Sequence, residues 1–459
     1  IKYMDKVYDI IIIGAGLGGL TAGAFLSKAG KKVLVVEKNN IIGGRCSSRT
    51  WDGFRFDVGA DYFAKSMLKT FARLNKDVAL RPLGFSVKSF NKGKVMTIPP
   101  GLHLIKELSE FGMSKKEIAG FGLRMMKEIV FKSYSKRYKT NDRVIDEVTD
   151  NDILRNILNI GAFFSGSLPH KMPSYWFNLL FGRTYGYDFP FYPLDGAQRI
   201  PDLLSEVIKE NGGEVRTNIS VERIHIEKNK AVGVKTTGEE IEADIVISNS
   251  GIQDTIFNLM KGKGLSAEFK NRVKKYKPGL LMNSIFTAFK TNAGIISGVH
   301  LYCYFPPDIR EMFARLHNGK IPEEPMFSVS VPDAVTGATT EHCYTGTIKF
   351  ITPRGEKRKD IILKEAERVI DMVDRVIPDF TKSLIYKKVV TSEDYEDEIG
   401  FESCIAPVAE SIEYKKTGHT MPLKGLYCVG ATVLPNGGCT ASSVESGKRC
   451  AEEILIKTQ

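Results

Sequence analysis

The chain has 459 residues, 42% of them hydrophobic and 26% charged, enough to bury a large core and to divide into two or three domains. Its net charge of +11, from 65 Lys and Arg against 54 Asp and Glu, favours an anionic surface as partner or serves solubility alone; no nucleic-acid partner is expected. Seven scattered cysteines without a C-x-x-C pair argue against a disulfide framework and a metal site, and neither a membrane-spanning run nor an apolar leader is evident, so a cytoplasmic protein is expected.

Ile10 to Ile13 are all apolar and β-branched, the pattern of a strand covered on both faces in a parallel sheet. Gly14, Ala15, Gly16, Gly18 and Gly19 follow, with Gly14, Gly16 and Gly19 in G-x-G-x-x-G spacing. Leu17, Leu20, Ala24 and Phe25 then recur at helical spacing up to Gly30. In this motif the first glycine permits a tight turn, the second admits a pyrophosphate, and the third brings helix and strand together. The next strand ends in Glu37 and Lys38, and Glu37 lies 23 residues beyond Gly14, where a carboxylate accepts hydrogen bonds from ribose hydroxyls and disfavours a 2′-phosphate. Strand, turn, helix and strand make a right-handed βαβ unit; alone it leaves nicotinamide and flavin dinucleotides open.

Residues 66–194 carry helical patterns rich in Phe and Met. Within them, residues 101–140 hold nine Lys and Arg against four Glu, interleaved with Leu104, Ile105, Leu108, Phe111, Ile118, Phe121, Met125, Ile129 and Phe131. Such a basic amphipathic stretch suits either an anionic membrane surface or an ordinary lid helix with a solvated face. Residues 195–260 return to a helix from Ile200 to Glu210 and strand patterns ending in ADIVISNSG. Residues 261–395 read as a mostly antiparallel sheet with one helix from Lys359 to Arg375, and residues 396–459 again as strand, glycine turn and helix. The expected fold is therefore α/β. Segments 1–65, 195–260 and 396–459 form a Rossmann-like domain; 66–194 form a helical, membrane-facing lid and 261–395 a mixed α+β substrate domain.

Residues 41–61, IIGGRCSSRTWDGFRFDVGAD, discriminate between the cofactors. Gly43 and Gly44 permit backbone close to a ligand, and Arg45 can place a guanidinium beside a phosphate or stand as a surface arginine. Here the chain resembles the flavin-containing amine oxidase superfamily, in which a G-G-R element lies on the FAD pyrophosphate and an F-D-x-G element, here Phe56 to Gly59, leads toward the flavin ring. The resemblance extends to GLYCVGATVLPNGG. It implies FAD as cofactor, with Gly59, Ala60 and Asp61 near the ring, Gly430 and Ala431 near the ribityl chain, Gly438, Cys439 and Thr440 opening a helix beneath the ring, and the backbone of Val221 at the adenine. Within the superfamily the chain is most similar to the phytoene desaturase and carotenoid isomerase group. Two positions depart from that group, Ala197 in the Y-P-x-G-G element and Ala441 where glycine is usual. The F-A-G-E signature of true amine oxidases is replaced by C-V-G-A.

The resemblance implies hydride transfer at flavin N5 during desaturation, saturation or isomerisation of a long apolar isoprenoid or polyene. No catalytic acid or base is identified. Asp61 is a candidate near the ring against a turn or capping role, and Cys439 a candidate against a small residue packing beneath the flavin. Two other readings are an oxidase of an amine or porphyrinogen, and a prenyl-lipid escort protein of the Rab escort and GDP-dissociation inhibitor type, which shares a similar frame without catalysis.

Overall fold

The four isoleucines of the first strand, Tyr8–Ile13, divide between two cores in the computed structural model. Ile10 and Ile12 pack under the helices Leu17–Lys28, Arg199–Glu210 and Thr440–Lys457, whereas Ile11 and Ile13 face a cluster with Leu34, Val36, Val246 and Ile256. A strand buried on both faces must be apolar at every position, which is why the run does not alternate. Described are residues 8–458 except 84–86, 92–93, 99–102, 111–112, 131–138, 175–189, 292–295, 297, 338–341, 355, 357, 402, 405, 410 and 438.

The first sheet has parallel strands in the order Glu214–Arg216, Val33–Val36, Tyr8–Ile13, Glu240–Ser248 and Leu426–Cys428. Lys230–Thr236 pairs antiparallel with the start of Glu240–Ser248, and Val221–Glu227 pairs with it in turn. The N- and C-terminal helices meet on glycine: a Cβ added at Gly447 would lie 2.2 Å from the Gly18 carbonyl oxygen. Only a residue without a side chain allows that approach.

The second sheet runs Leu384–Val390, Leu281–Lys290, Cys343–Thr352, Phe327–Ser330, Leu301–Tyr304, Val87–Asn91 and Lys94–Ile98. Its last two strands fall where helical patterns were expected, and Val87–Asn91 pairs parallel with Leu301–Tyr304. The stretch SVKSFNKGKVMTI carries two strand-length runs around an N-K-G turn, a hairpin signal that the surrounding Phe- and Met-rich helices obscure. One face of the sheet packs on the helix Lys359–Val373 through Ile285, Phe289, Val329, Ile348 and Phe350. The other face meets the hairpin Ser48–Trp51/Phe54–Asp57, where the Trp51 and Phe56 rings lie 4.8 and 5.5 Å from that of Phe286.

In the 101–140 segment, helices form at His103–Glu110 and Lys115–Val130. Leu108 and Phe121 join the core cluster of Val144, Ile145 and Val148, so these two apolar residues serve internal packing. The side chains of Leu104, Ile105, Phe111, Met125, Ile129 and Phe131 lie outside the described residues. No described helix is long and apolar enough to cross a membrane.

Candidate functional site

The parallel strands end at Ile13, Val36, Ser248 and Cys428 on one side of the sheet, and the loops beyond them enclose a cavity of ≈ 1150 Å³. Open α/β sheets take their ligands at this edge, and single-ligand pockets usually measure about 300–1000 Å³.

Gly14 turns the chain out of the strand at φ +91°, and Gly16 is the N-cap of Leu17–Lys28. That helix has no side-chain cap and no acidic residue in its first turn, and Gly16, Leu17 and Gly18 line the cavity. An N-terminus so arranged offers N–H groups and partial positive charge to an anion. Gly43 and Gly44 continue the wall with φ +108° and +56°, and the Gly43 N–H donates to Ala15 O at 2.8 Å. A Cβ at Gly44 would find only Gly16 Cα, at 3.7 Å, so this backbone is bare toward the glycine loop.

Glu37 is buried, and each carboxylate oxygen accepts one backbone N–H, from Ala15 at 2.8 Å and Asn39 at 3.0 Å. A carboxylate has about four acceptor positions, so two remain for ligand hydroxyls. Ala15 is therefore behind Glu37 and does not line the cavity. Gly19 does not line it either; a Cβ there would lie 2.3 Å from Gly14 O, the close helix–strand contact its place in the motif implies. Lys38 is on the rim, half-exposed beside Glu396. Arg45 stacks over the Phe401 ring at 5.0 Å, with Nη2 3.3 Å from Cys404 Sγ, in the cavity wall and not on the open surface.

Gly59, Ala60, Asp61, Val221, Gly430, Ala431, Cys439 and Thr440 also line the cavity, whereas Gly438 lies outside the described residues. Asp61 is not a solvated turn residue: its Oδ1 accepts from Lys349 Nζ at 2.5 Å, with side-chain exposures of 10% and 5%. Its backbone carbonyl meets Nε2 of buried His300, whose pKa burial lowers from the usual imidazole value. Cys439 caps the helix Thr440–Lys457 in a reciprocal pair with Ser442. Asp57, behind the wall, accepts from Ser48 at 2.6 Å and from Tyr192; burial raises its pKa to about 6.

One residue that sequence reasoning passed over organises the glycine end. Cβ atoms at Gly16, Gly18 and Gly430 would lie 2.6, 2.8 and 2.5 Å from the Asn249 side-chain amide, whose Nδ2 is 3.4 Å from Gly14 O. Its signal is a polar side chain directly after the buried strand of ADIVISNSG. An uncapped helix N-terminus, left-handed glycines and a carboxylate with open acceptor positions suit a dinucleotide with phosphates at one point and a ribose at another.

The family model described as "Flavin containing amine oxidoreductase" matches residues 17–455. The chain belongs to this family. It is an FAD-dependent oxidoreductase, and its fold is that of the family's solved members. Among curated relatives, phytoene desaturase (neurosporene-forming) of Rhodobacter capsulatus is 26% identical over 99% of this chain and 95% of its own length. 4,4′-Diaponeurosporene oxygenase of Staphylococcus aureus is 24% identical over 97% of both chains. An oxidoreductase from Methanosarcina mazei shares the fold, with a TM-score of 0.74 and 20% identity over 97% of this chain and 99% of that one.

Proposed function

We propose that the cavity holds FAD with its adenosine ribose at Glu37, its adenine beside Val221, its pyrophosphate between the Gly14–Gly18 loop and Gly43–Arg45, and its ring end toward Gly59–Asp61 and Cys439–Thr440. Bound FAD supplies hydride transfer at its N5. The residues of the chain hold and orient it: Glu37 through its open acceptor positions, the helix N-terminus through its N–H groups, Arg45 through its guanidinium. Through Oδ1, Asp61 anchors Lys349 at this end of the cavity.

The substrate read from this site is a long apolar isoprenoid or polyene, which the enzyme desaturates, saturates or isomerises. The observation that carries this reading is the composition of the cavity beyond the glycine end, where Tyr62, Phe163, Phe164, Leu281 and Met282 supply an apolar wall. Phe164 packs edge-on against Tyr62 at 6.1 Å and against Phe163 at 5.4 Å, a surface suited to a flat conjugated chain. The two polyene-named relatives, matched along nearly their full length, support the same reading. Expression in hosts that accumulate linear polyenes tests it. The expected result is a shift in the absorption maximum of the extracted lipid, because each reaction but isomerisation changes the number of conjugated bonds; isomerisation shows as a new chromatographic peak. An unchanged lipid extract, with peroxide released on adding amines, would establish the amine oxidase reading instead. Colourless protein that takes up no added FAD would favour the escort-type carrier.

A substrate dissolved in a bilayer calls for contact with it, and we place that contact, for a cytoplasmic protein, on the helices within 101–140. Lys106, Lys115, Lys116 and Leu123 are exposed there, Leu123 at 71%. Co-sedimentation with anionic vesicles at low salt and its loss at high salt are expected; no binding at either ionic strength would remove the proposal.

A further inference from the structure

The face of the second sheet turned away from Lys359–Val373 carries a polar row. Ser284, Lys349 and Ser328 stand side by side on three neighbouring strands, because Lys349 is the register partner of both serines. Successive residues of a strand alternate faces, so the row is flanked on the opposite face by apolar Ile285, Ile348 and Val329. Ser284 is engaged: its hydroxyl meets Tyr395 Oη at 3.2 Å, and Tyr395 donates to Val58 O at 2.9 Å. Lys349 and Ser328 line the cavity.

Lys349 Nζ donates to Gly59 O at 2.8 Å and to Asp61 Oδ1 at 2.5 Å. An ammonium has three N–H donors, and the third finds no acceptor among the described residues. The Ser328 hydroxyl likewise makes no side-chain hydrogen bond among them, although the residue is 1% exposed. Tyr62, Phe163, Phe164, Leu281 and Met282 line the same cavity. A buried charged donor with an unfilled N–H is costly, and an oxygen acceptor on the ligand relieves the cost. Asp61 already balances the charge of Lys349. A ligand carboxylate would add an uncompensated negative charge in this wall, whereas a neutral oxygen adds none.

We propose that the substrate is an apolar chain bearing a neutral oxygen, an alcohol or a carbonyl, received by Lys349 Nζ with Ser328 Oγ beside it. This rests on the isoprenoid or polyene reading above and narrows it.

Equilibrium dialysis of the FAD-loaded protein against three ligands of one polyene skeleton tests the proposal: the hydrocarbon, its alcohol and its carboxylic acid. The alcohol is expected to bind ~10–100-fold more tightly than the hydrocarbon, the range for a hydrogen bond to a charged donor, and more tightly than the acid. In the double variant Lys349→Met/Asp61→Leu, which removes both charges so that neither is stranded, the ratio of alcohol to hydrocarbon affinity should fall to within ~3-fold, read on protein whose flavin content is measured alongside. Ser328→Ala, a milder change, should lower the preference by ~3–10-fold with flavin content and melting temperature unchanged. Equal binding of alcohol and hydrocarbon to the unaltered protein would overturn the proposal, as would occur if the cofactor itself satisfied Lys349; the polyene reading would then stand. Tighter binding of the acid would overturn the neutral oxygen. Binding of none of the three would overturn this proposal and the polyene reading together.

Discussion

Gly18 lines the cavity with its backbone and has no room for a side chain: a Cβ would lie 2.7 Å from Gly430 N and 2.8 Å from Gly430 Cα. The obstruction is backbone, which does not swing aside. Gly18→Ala is therefore expected to lower stability by ~1–3 kcal/mol and to reduce bound flavin per chain, read from denaturant melts and from absorbance after gel filtration. Unchanged flavin content would contradict the close packing of the two glycine segments. Asp57 offers a pH test. Its pKa of about 6 is raised by burial, so the folded state binds the proton more tightly than the unfolded chain and stability falls as pH rises from ~4 to ~6. Buried His300, shifted down, acts in the opposite sense, losing stability as pH drops below ~6.5. Asp57→Asn should gain stability relative to the parent across pH 4 to 6 and keep that gain above it, by urea melts at each pH; a pH-independent difference would show that Asp57 is not strained when ionised. Glu37 and the glycine spacing were legible because strand, turn and acid are neighbours in the chain. Asn249 and Lys349 were not, because each becomes significant only beside residues more than 200 positions away, such as Gly14 and Asp61.

Among the elements, the pairing of the first and last helices holds the two glycine-rich cavity walls together. Gly447 does not line the cavity, yet a Cβ there would lie 2.2 Å from Gly18 O and 2.9 Å from Ala22 N. Gly447→Ala is expected to push Thr440–Lys457 outward, lower stability by ~1–3 kcal/mol and weaken FAD retention without touching a lining residue. A melt and a flavin titration check both; loss of stability with normal FAD affinity would uncouple the helix pair from the site. Elements with one dominant periodicity were readable from sequence: the strand Tyr8–Ile13 and the helix Arg199–Glu210. The hairpin of Val87–Asn91 and Lys94–Ile98 has a local turn signal, but its place in the second sheet was not readable, because its partner Leu301–Tyr304 lies some two hundred residues on.

At the scale of the molecule, two sheets are joined by the hairpin Ser48–Asp57, whose Trp51 and Phe56 pack on Phe286 of the second sheet while its end, Gly59 to Asp61, enters the cavity. The ligand end rich in glycine and charge is thus built from the first sheet, and the end rich in aromatic side chains is shared with the second sheet and the helices around Ile160–Ser165. In the proposed function, that division separates the task of holding a cofactor from the task of receiving an apolar chain. Mixing the protein with linear isoprenoids under anaerobic conditions, in its oxidised and in its chemically reduced form, tests the claim most directly through the flavin absorbance. The expected result is bleaching of the oxidised flavin with lengthened conjugation of the lipid, or return of yellow colour to the reduced flavin with shortened conjugation. A flavin unmoved by every isoprenoid in both states, but bleached by an amine, would contradict it.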